Sequence, residues 1–203
     1  MKTGKILITF WAILLFAFLA GCDLNENNEK IKGNGNVISL ERQADEFDSI
    51  VLVGVGNVNV YPAENFRVVV VTDANIQDYV IVETRNNNLT LTLKSGYSYE
   101  ATQITFNIYL PELSSVNTEG VGNITISAGN AENLGVYITG VGNVDSQNYE
   151  VQNITIDHSG FGNATIWATN SINGKHSGIG NILYKGNPTI NVNKTGLGNI
   201  KPL

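Results

Sequence analysis

"TEGVGNITIS", Thr118 to Ser127, contains the motif whose reading decides the fold: glycine, an apolar residue, glycine, asparagine, an apolar residue. It returns as "TGVGNV" at 139–144, "SGFGNA" at 159–164, "SGIGNI" at 177–182 and "TGLGNI" at 195–200. An earlier copy is built on Gly54, Gly56 and Asn57, and a less complete one begins at Gly33. The first glycines of the later copies fall at 120, 140, 160, 178 and 196, giving spacings of 20, 20, 18 and 18 residues. A dinucleotide-binding loop needs a third glycine and a helix behind it. Here the sixth position holds Thr125, Asp145, Thr165, Leu183 and Lys201, and no helical period follows. A period near 20 instead marks stacked repeats, each one turn of chain, with neighbours burying one another's apolar face.

The rest of the sequence agrees. "SIVLVGVGNVNVY", "FRVVVVT", "YVIVETR", "NLTLTLK" and "ITFNIYL" alternate with a period of two and are rich in β-branched and aromatic residues. Val80 to Leu93, with Asn86, Asn87 and Asn88 in its middle, reads as a hairpin. Aligned on the first glycine, three columns are apolar. They are Val121, Val141, Phe161, Ile179 and Leu197; then Ile124, Val144, Ala164, Ile182 and Ile200; then the pairs Leu134/Val136, Ile154/Ile156, Ile172/Gly174 and Ile190/Val192. Coils stacked about 4.8 Å apart would place each column in a continuous interior ladder.

The motif residues are then corners: Gly54, Gly56, Asn57; Gly120, Gly122, Asn123; Gly140, Gly142, Asn143; Gly160, Gly162, Asn163; Gly178, Gly180, Asn181; and Gly196, Gly198, Asn199. Glycine supplies positive φ, asparagine tolerates the left-handed region, and stacked amides hydrogen-bond from coil to coil. The expected fold is all-β, a right-handed parallel β-helix-like solenoid. Regular coils cover 120–203 and a less regular N-terminal β region covers 33–119, the two forming one continuous domain. The 66 residues between Gly54 and Gly120 correspond to about three blurred coils. Pro202 and Lys201 blunt the last edge.

Lys2 and Lys5 precede an apolar run from Ile6 to Ala20, the layout of a secretory signal over residues 1–21. Leu19-Ala20-Gly21-Cys22 resembles the bacterial lipobox, which implies a lipidated Cys22 as the mature N-terminus. Residues 22–32, ending in the polar "DLNENNEKIK", form a flexible tether. The expected location is the cell envelope, lipid-anchored in the outer membrane and either periplasmic or surface-exposed. Cys22 is the only cysteine, so no thiol remains for a disulfide or a nucleophile.

From Cys22 onward 10 bases face 18 acids, which excludes nucleic acid as a partner class. The lysines after His158 (175, 185, 194 and 201) meet no acid, an asymmetry that leaves weak end-to-end self-association open. Glu119, Glu132, Asp145, Glu150 and Asp157 do not stack in one column, and Glu119 with Asp157 is the candidate pair for the two carboxyls of a glycosidase. His158 and His176 should stack in adjacent coils, but the third ligand of a metal site is missing. Asparagine in place of aspartate argues against calcium. No cofactor, metal or catalytic residue is assigned. Tyr137, Tyr149, Trp167 and Tyr184 are candidate outward aromatics for stacking on sugars.

The order Phe47-Asp48-Ser49-Ile50, "GVGNVNV", "NNNLTLTL", "ITFNIYLPELSSVNTEGVGNITI" and the repeated Gly-x-Gly-Asn-Ile resembles the head-GIN domain family from about Gly33 onward. Members are found largely in exported proteins of Bacteroidetes-type bacteria and are described as auto-transporter adhesins. The resemblance implies a parallel β-helix-like fold and brings no catalytic motif. With no autotransporter barrel visible, anchoring falls to Cys22. The expected function is that of a non-enzymatic envelope lipoprotein, an adhesin whose surface binds glycan, matrix or cell-surface partners. Two alternatives are an envelope module with a structural or sensing role that self-associates, and a carbohydrate-active β-helix enzyme.

Overall fold

The computed structural model describes residues 29–203, so Cys22 and the leader lie outside the described residues. The described residues are all-β, with a single 3-10 turn among them at Gln77–Tyr79. No helix of the described residues is long and apolar enough to cross a membrane. A two-stranded sheet pairs β1 (Glu29–Lys32) with β8 (Tyr97–Glu100) in parallel, so residues 29–32, expected to belong to the flexible tether, are instead an ordered strand. The other 15 strands form one barrel-like sheet that closes almost fully on itself.

The later half of that sheet is built in parallel. The strands are β10 (Ser115–Thr118), β11 (Ile124–Ile126), β12 (Gly129–Ile138), β13 (Val144–His158), β14 (Ala164–His176), β15 (Ile182–Lys185), β16 (Thr189–Lys194) and β17 (Ile200–Pro202). Ile124 pairs with Val144, Val144 with Ala164, Ala164 with Ile182 and Ile182 with Ile200, so partners stand 20 or 18 residues apart. On the opposite wall Val116, Val136, Ile156, Gly174 and Val192 pair in turn. Alternate residues face inward, which buries Ile124, Val144, Ala164 and Ile182 on one wall and Leu134, Val136, Ile154, Ile156 and Ile172 on the other. Ile190, Val192 and Ile200, on the last of the described strands, are only partly buried.

The N-terminal half departs from the expected order. β3 (Ser49–Leu52) and β4 (Asn57–Pro62) pair directly with β10 and β11, with Val58 opposite Ile124. The copy at Gly54 therefore touches the copy at Gly120, and the 66 residues between are not three intervening coils. They lie on the far side of β3 and β4. There β7 (Asn88–Leu93) pairs parallel to β3, and β9 (Ile104–Leu110) parallel to β4. Two antiparallel additions close this end: β5 (Arg67–Asp73) on β9 with β2 (Val37–Arg42) beyond it, and β6 (Val80–Arg85) on β7. The β6–β7 hairpin forms where the sequence places it, and Asn86 and Asn87 at φ 49° and 63° give the tight turn its twist.

Asp73 ties the loops of this end together. Its buried carboxylate accepts from the backbone N–H of Gly35 and of Thr102, each at 2.7 Å, and from Thr102 Oγ1 at 2.9 Å. Burial pushes the carboxyl up, yet these donors together outweigh it and hold it below its ordinary value. Gly33 serves Asp73 and takes no part in the corner column: a Cβ there would overlap the Asp73 carboxylate.

Candidate functional site: an exposed corner ladder

The two glycines of each motif have different jobs. The second lies at φ 150°, 151°, 158°, 140°, 143° and 131° in Gly56, Gly122, Gly142, Gly162, Gly180 and Gly198, a region side chains avoid. The first has ordinary φ, against the expectation of positive φ for both, and needs space instead. A Cβ on Gly120, Gly140, Gly160, Gly178 or Gly196 would run into the carbonyl oxygen of the first glycine one coil earlier. Gly54 is looser, facing the backbone of Thr92 at 3.0 Å.

The motif asparagines are not left-handed; among the described non-glycine residues only Asn86 and Asn87 are. Their side chains link the corners. Asn123 donates its Nδ2 to Asn57 Oδ1 at 3.1 Å, and Asn143 to Asn123 Oδ1 at 2.8 Å. Asn163 donates to Asn143, and Asn181 to Asn163, each at 3.3 Å. The backbone N–H groups of Asn123, Asn143, Asn163, Asn181 and Asn199 join the same Oδ1 acceptors. The side-chain amides of Asn123, Asn143, Asn163 and Asn181 thus all donate toward the N-terminal end of the stack.

The residue between the glycines was expected inside and stands outside. Val55, Val121, Val141, Phe161, Ile179 and Leu197 are 52, 49, 50, 56, 46 and 68 % exposed, and bridge one another in parallel order. Because the chain reverses at two glycines, the residue at the apex points away from the interior. The period of 20 shows that these residues stack; it does not say on which side. The result is a ridge of six apolar side chains beside a ladder of six amides.

At its N-terminal end the ridge runs into an open cavity of about 550 Å³. Val55, Asn57, Val121 and Ile104 line it together with Tyr97, Tyr99 and Glu100. Tyr97 and Tyr99 sit on β8, held by β1, and pack edge-on against Tyr79 with ring centroids 5.1 and 5.7 Å away. Hydrogen bonding and charge from Lys30, 2.6 Å away, hold the Glu100 carboxyl below its ordinary value, so it is an ionised acceptor at neutral pH. Burial pushes the Tyr99 phenol up, and the neighbouring tyrosines add to this. Sequence reading missed this cavity because β8 reaches the corner only through the swapped order of the N-terminal half.

The other candidate residues are scattered. Tyr149 is buried, and its phenol is pushed up by burial. Trp167 lies under the Lys185 ammonium, 3.5 Å from its ring centre, and Tyr184 is half-buried on the next strand. Tyr137 is on the opposite wall, opposite Asn117 and Asp157. Asp157 pairs with Lys175 at 3.0 Å, and Glu119 accepts from Asn117 at 2.8 Å, so each carboxylate has its own partner.

His158 and His176 stack in adjacent coils, both buried, with Nδ1 atoms 2.9 Å apart. The Gly162 carbonyl can only accept, so His158 Nε2, 2.7 Å from it, carries a hydrogen. Neutral His158 then accepts at Nδ1 from His176 Nδ1–H, leaving His176 Nε2 buried without a partner. No group of three or more metal-ligating side chains occurs among the described residues.

Comparison with known proteins agrees with the fold. A crystal structure of a "putative adhesin" from Bacteroides fragilis superposes with a TM-score of 0.58 at 23% identity, over 85% of this chain and 100% of that one. One of a "putative lipid binding protein" from Parabacteroides distasonis gives 0.48 at 19%, over 86% and 100%. No protein of curated function matches the sequence. The profile of the family described as "Putative auto-transporter adhesin, head GIN domain" matches residues 46–128 and 115–188. The chain belongs to the head GIN domain family of adhesin-like proteins.

Proposed function

We propose that this chain is a non-enzymatic, lipid-anchored envelope adhesin. In this reading it is tethered through Cys22 and the residues that lead to β1, and contacts glycan, matrix or another cell along its corner ridge. The architecture that goes with this reading is a right-handed parallel β-helix-like solenoid, regular over 120–203. The 20- and 18-residue parallel registers support it. The observation that carries the function is the unbroken line of Val55, Val121, Val141, Phe161, Ile179 and Leu197 in register on the surface. Isolated exposed apolar residues need no explanation, whereas a contiguous strip rimmed by polar groups marks a contact surface. Family membership points the same way.

The test is a cell-adhesion assay with bacteria displaying the full chain, comparing it with the double variant Val141→Asp and Phe161→Asp. Both positions are about half exposed, so the variant should fold, which circular dichroism checks. Adhesion should fall at least tenfold. Unchanged adhesion by a folded variant would remove the ridge from the function.

A further inference from the structure

The amide ladder has a direction, and its donor end is open. Each Oδ1 from Asn57 to Asn181 accepts from the following coil, and each Nδ2 from Asn123 to Asn181 donates to the preceding one. Asn57 is the terminus: its Oδ1 accepts from Asn123, and no described residue accepts from its Nδ2. The strand beyond carries Thr105 opposite Asn57, where an asparagine would have continued the row. Aligned hydrogen bonds polarise one another, so this last amide is a better donor than an isolated one. Asn57 lines the 550 Å³ cavity, a size suited to a small ligand or one unit of a polymer.

The other walls narrow the chemistry. Val55, Ile104 and Val121 give an apolar floor, Tyr97 and Tyr99 add aromatic side chains, and Glu100, paired with Lys30 at 2.6 Å, gives an anionic acceptor. A ligand that satisfies all of them needs an amide carbonyl for Asn57 Nδ2, a small apolar group for the floor, and hydroxyl or N–H donors for Glu100. Its flat face, lined with C–H groups, would lie on the tyrosines. The acetamido group of an N-acetylated hexosamine supplies the carbonyl, the methyl and the N–H together; the pyranose ring supplies the rest. Its carbonyl would take the place in the ladder that the next Oδ1 would have occupied.

We propose that this cavity binds an N-acetylhexosamine unit of a surface glycan, with Asn57 reading the acetamido carbonyl and Tyr97 and Tyr99 the sugar face. The site deepens the adhesin reading and rests on it. Because the ridge shares Val55 and Val121 with the cavity, a glycan anchored here would run on along the apolar strip.

The experiment uses the full chain in detergent and immobilised N-acetylglucosamine oligomers, with glucose oligomers of the same linkage as the matched control. The acetylated oligomers should bind at least tenfold more tightly. Asn57→Asp keeps an Oδ acceptor for Asn123 and removes the donor, so it should abolish that preference while leaving the fold intact. Tyr97→Ser should weaken both oligomers. Equal binding of both oligomers by the unaltered chain would overturn the proposal, as would an Asn57→Asp variant that still prefers acetyl groups. Competition by an N-acetylated peptide but by neither sugar would also overturn it, assigning the cavity to protein ligands. If the cavity fails these tests while the ridge variant still abolishes adhesion, the adhesin reading survives without it.

Discussion

The segment Gly160-Phe161-Gly162 sets opposite expectations on neighbouring residues. Gly162 lies at φ 140°, and a Cβ on it would overlap the carbonyl oxygen of Gly142 one coil earlier. Gly160 has an ordinary φ but meets Gly140 in the same way. Forcing a side chain into the disfavoured backbone region costs about 1–3 kcal/mol, and pushing packed backbone aside costs about 1–3 kcal/mol more. Gly162→Ala carries both penalties and should lose about 2–6 kcal/mol. Gly160→Ala carries only the second. Phe161, over half exposed, should tolerate Ser for less than about 1 kcal/mol. Near the middle of its range Gly162→Ala would lower the melting temperature by roughly 10 °C in a domain this size. Urea and thermal unfolding of the three variants should rank them Gly162→Ala, Gly160→Ala, Phe161→Ser, the last close to the parent. If Phe161→Ser were the most damaging, the apex would have to point inward and the corner geometry would be wrong.

Buried His158 should make the fold acid-sensitive. Burial lowers the His158 pKa, against the Gly162 carbonyl, which raises it, and with His176 adding to the depression; Asp157 and Lys175 lie alongside. The unfolded chain takes the proton near pH 6.5 while the folded chain resists, so stability is complete above about 6.5 and falls as the pH drops below it. Urea midpoints at pH 8 and pH 5 should show the fall, and His158→Asn should reduce it; a flat profile would refute the shared-proton arrangement. At the C-terminal edge, Ile182 N–H donates to Asn199 and Leu203 N–H to Tyr184, which turns Pro202 outward where it has no N–H to offer. Lys201→Thr with Pro202→Val should therefore give concentration-dependent association in sedimentation; a strict monomer would show that these residues do not guard the edge.

The repeat, the all-β class and the amide ladder were legible because stacking in register is a property of spacing, and spacing is visible in Gly120, Gly140 and Gly160. Which side a stacked residue faces depends on backbone torsion at the corner. Two glycines, one with φ near 140°, turned Phe161 outward, while Ile124 and Val144, only three residues past their own apex, stayed inside. The swapped order of the N-terminal half was hidden for another reason. Val58 pairs with both Phe106 and Ile124, from later and distant segments, and periodicity within a segment says nothing of which segment lies next to it. The cavity inherits that blindness, since Tyr97 reaches Asn57 only through this rearrangement.

One competing account of the ridge deserves a direct trial. Apolar pairs across neighbouring strands stabilise a sheet by about 0.2–1 kcal/mol each. The chain of bridges from Val55 to Leu197 could then be a spine kept for stability rather than contact. The two accounts part when Val121, Val141, Phe161, Ile179 and Leu197 are all replaced by threonine. Threonine keeps the preference for extended backbone, and at Val121, Val141 and Ile179 the β-branched shape, but gives up the apolar surface. If the ridge serves contact, the threonine ladder should unfold at nearly the parent's urea concentration while adhesion disappears. If it is a spine, several kcal/mol should go, within the range of about 1–5 kcal/mol set by its bridges, and adhesion would fall only as the fold does. The geometry favours contact: half of each side chain already lies in water, and the fully buried columns beside it bury far more apolar surface per residue than the apex can.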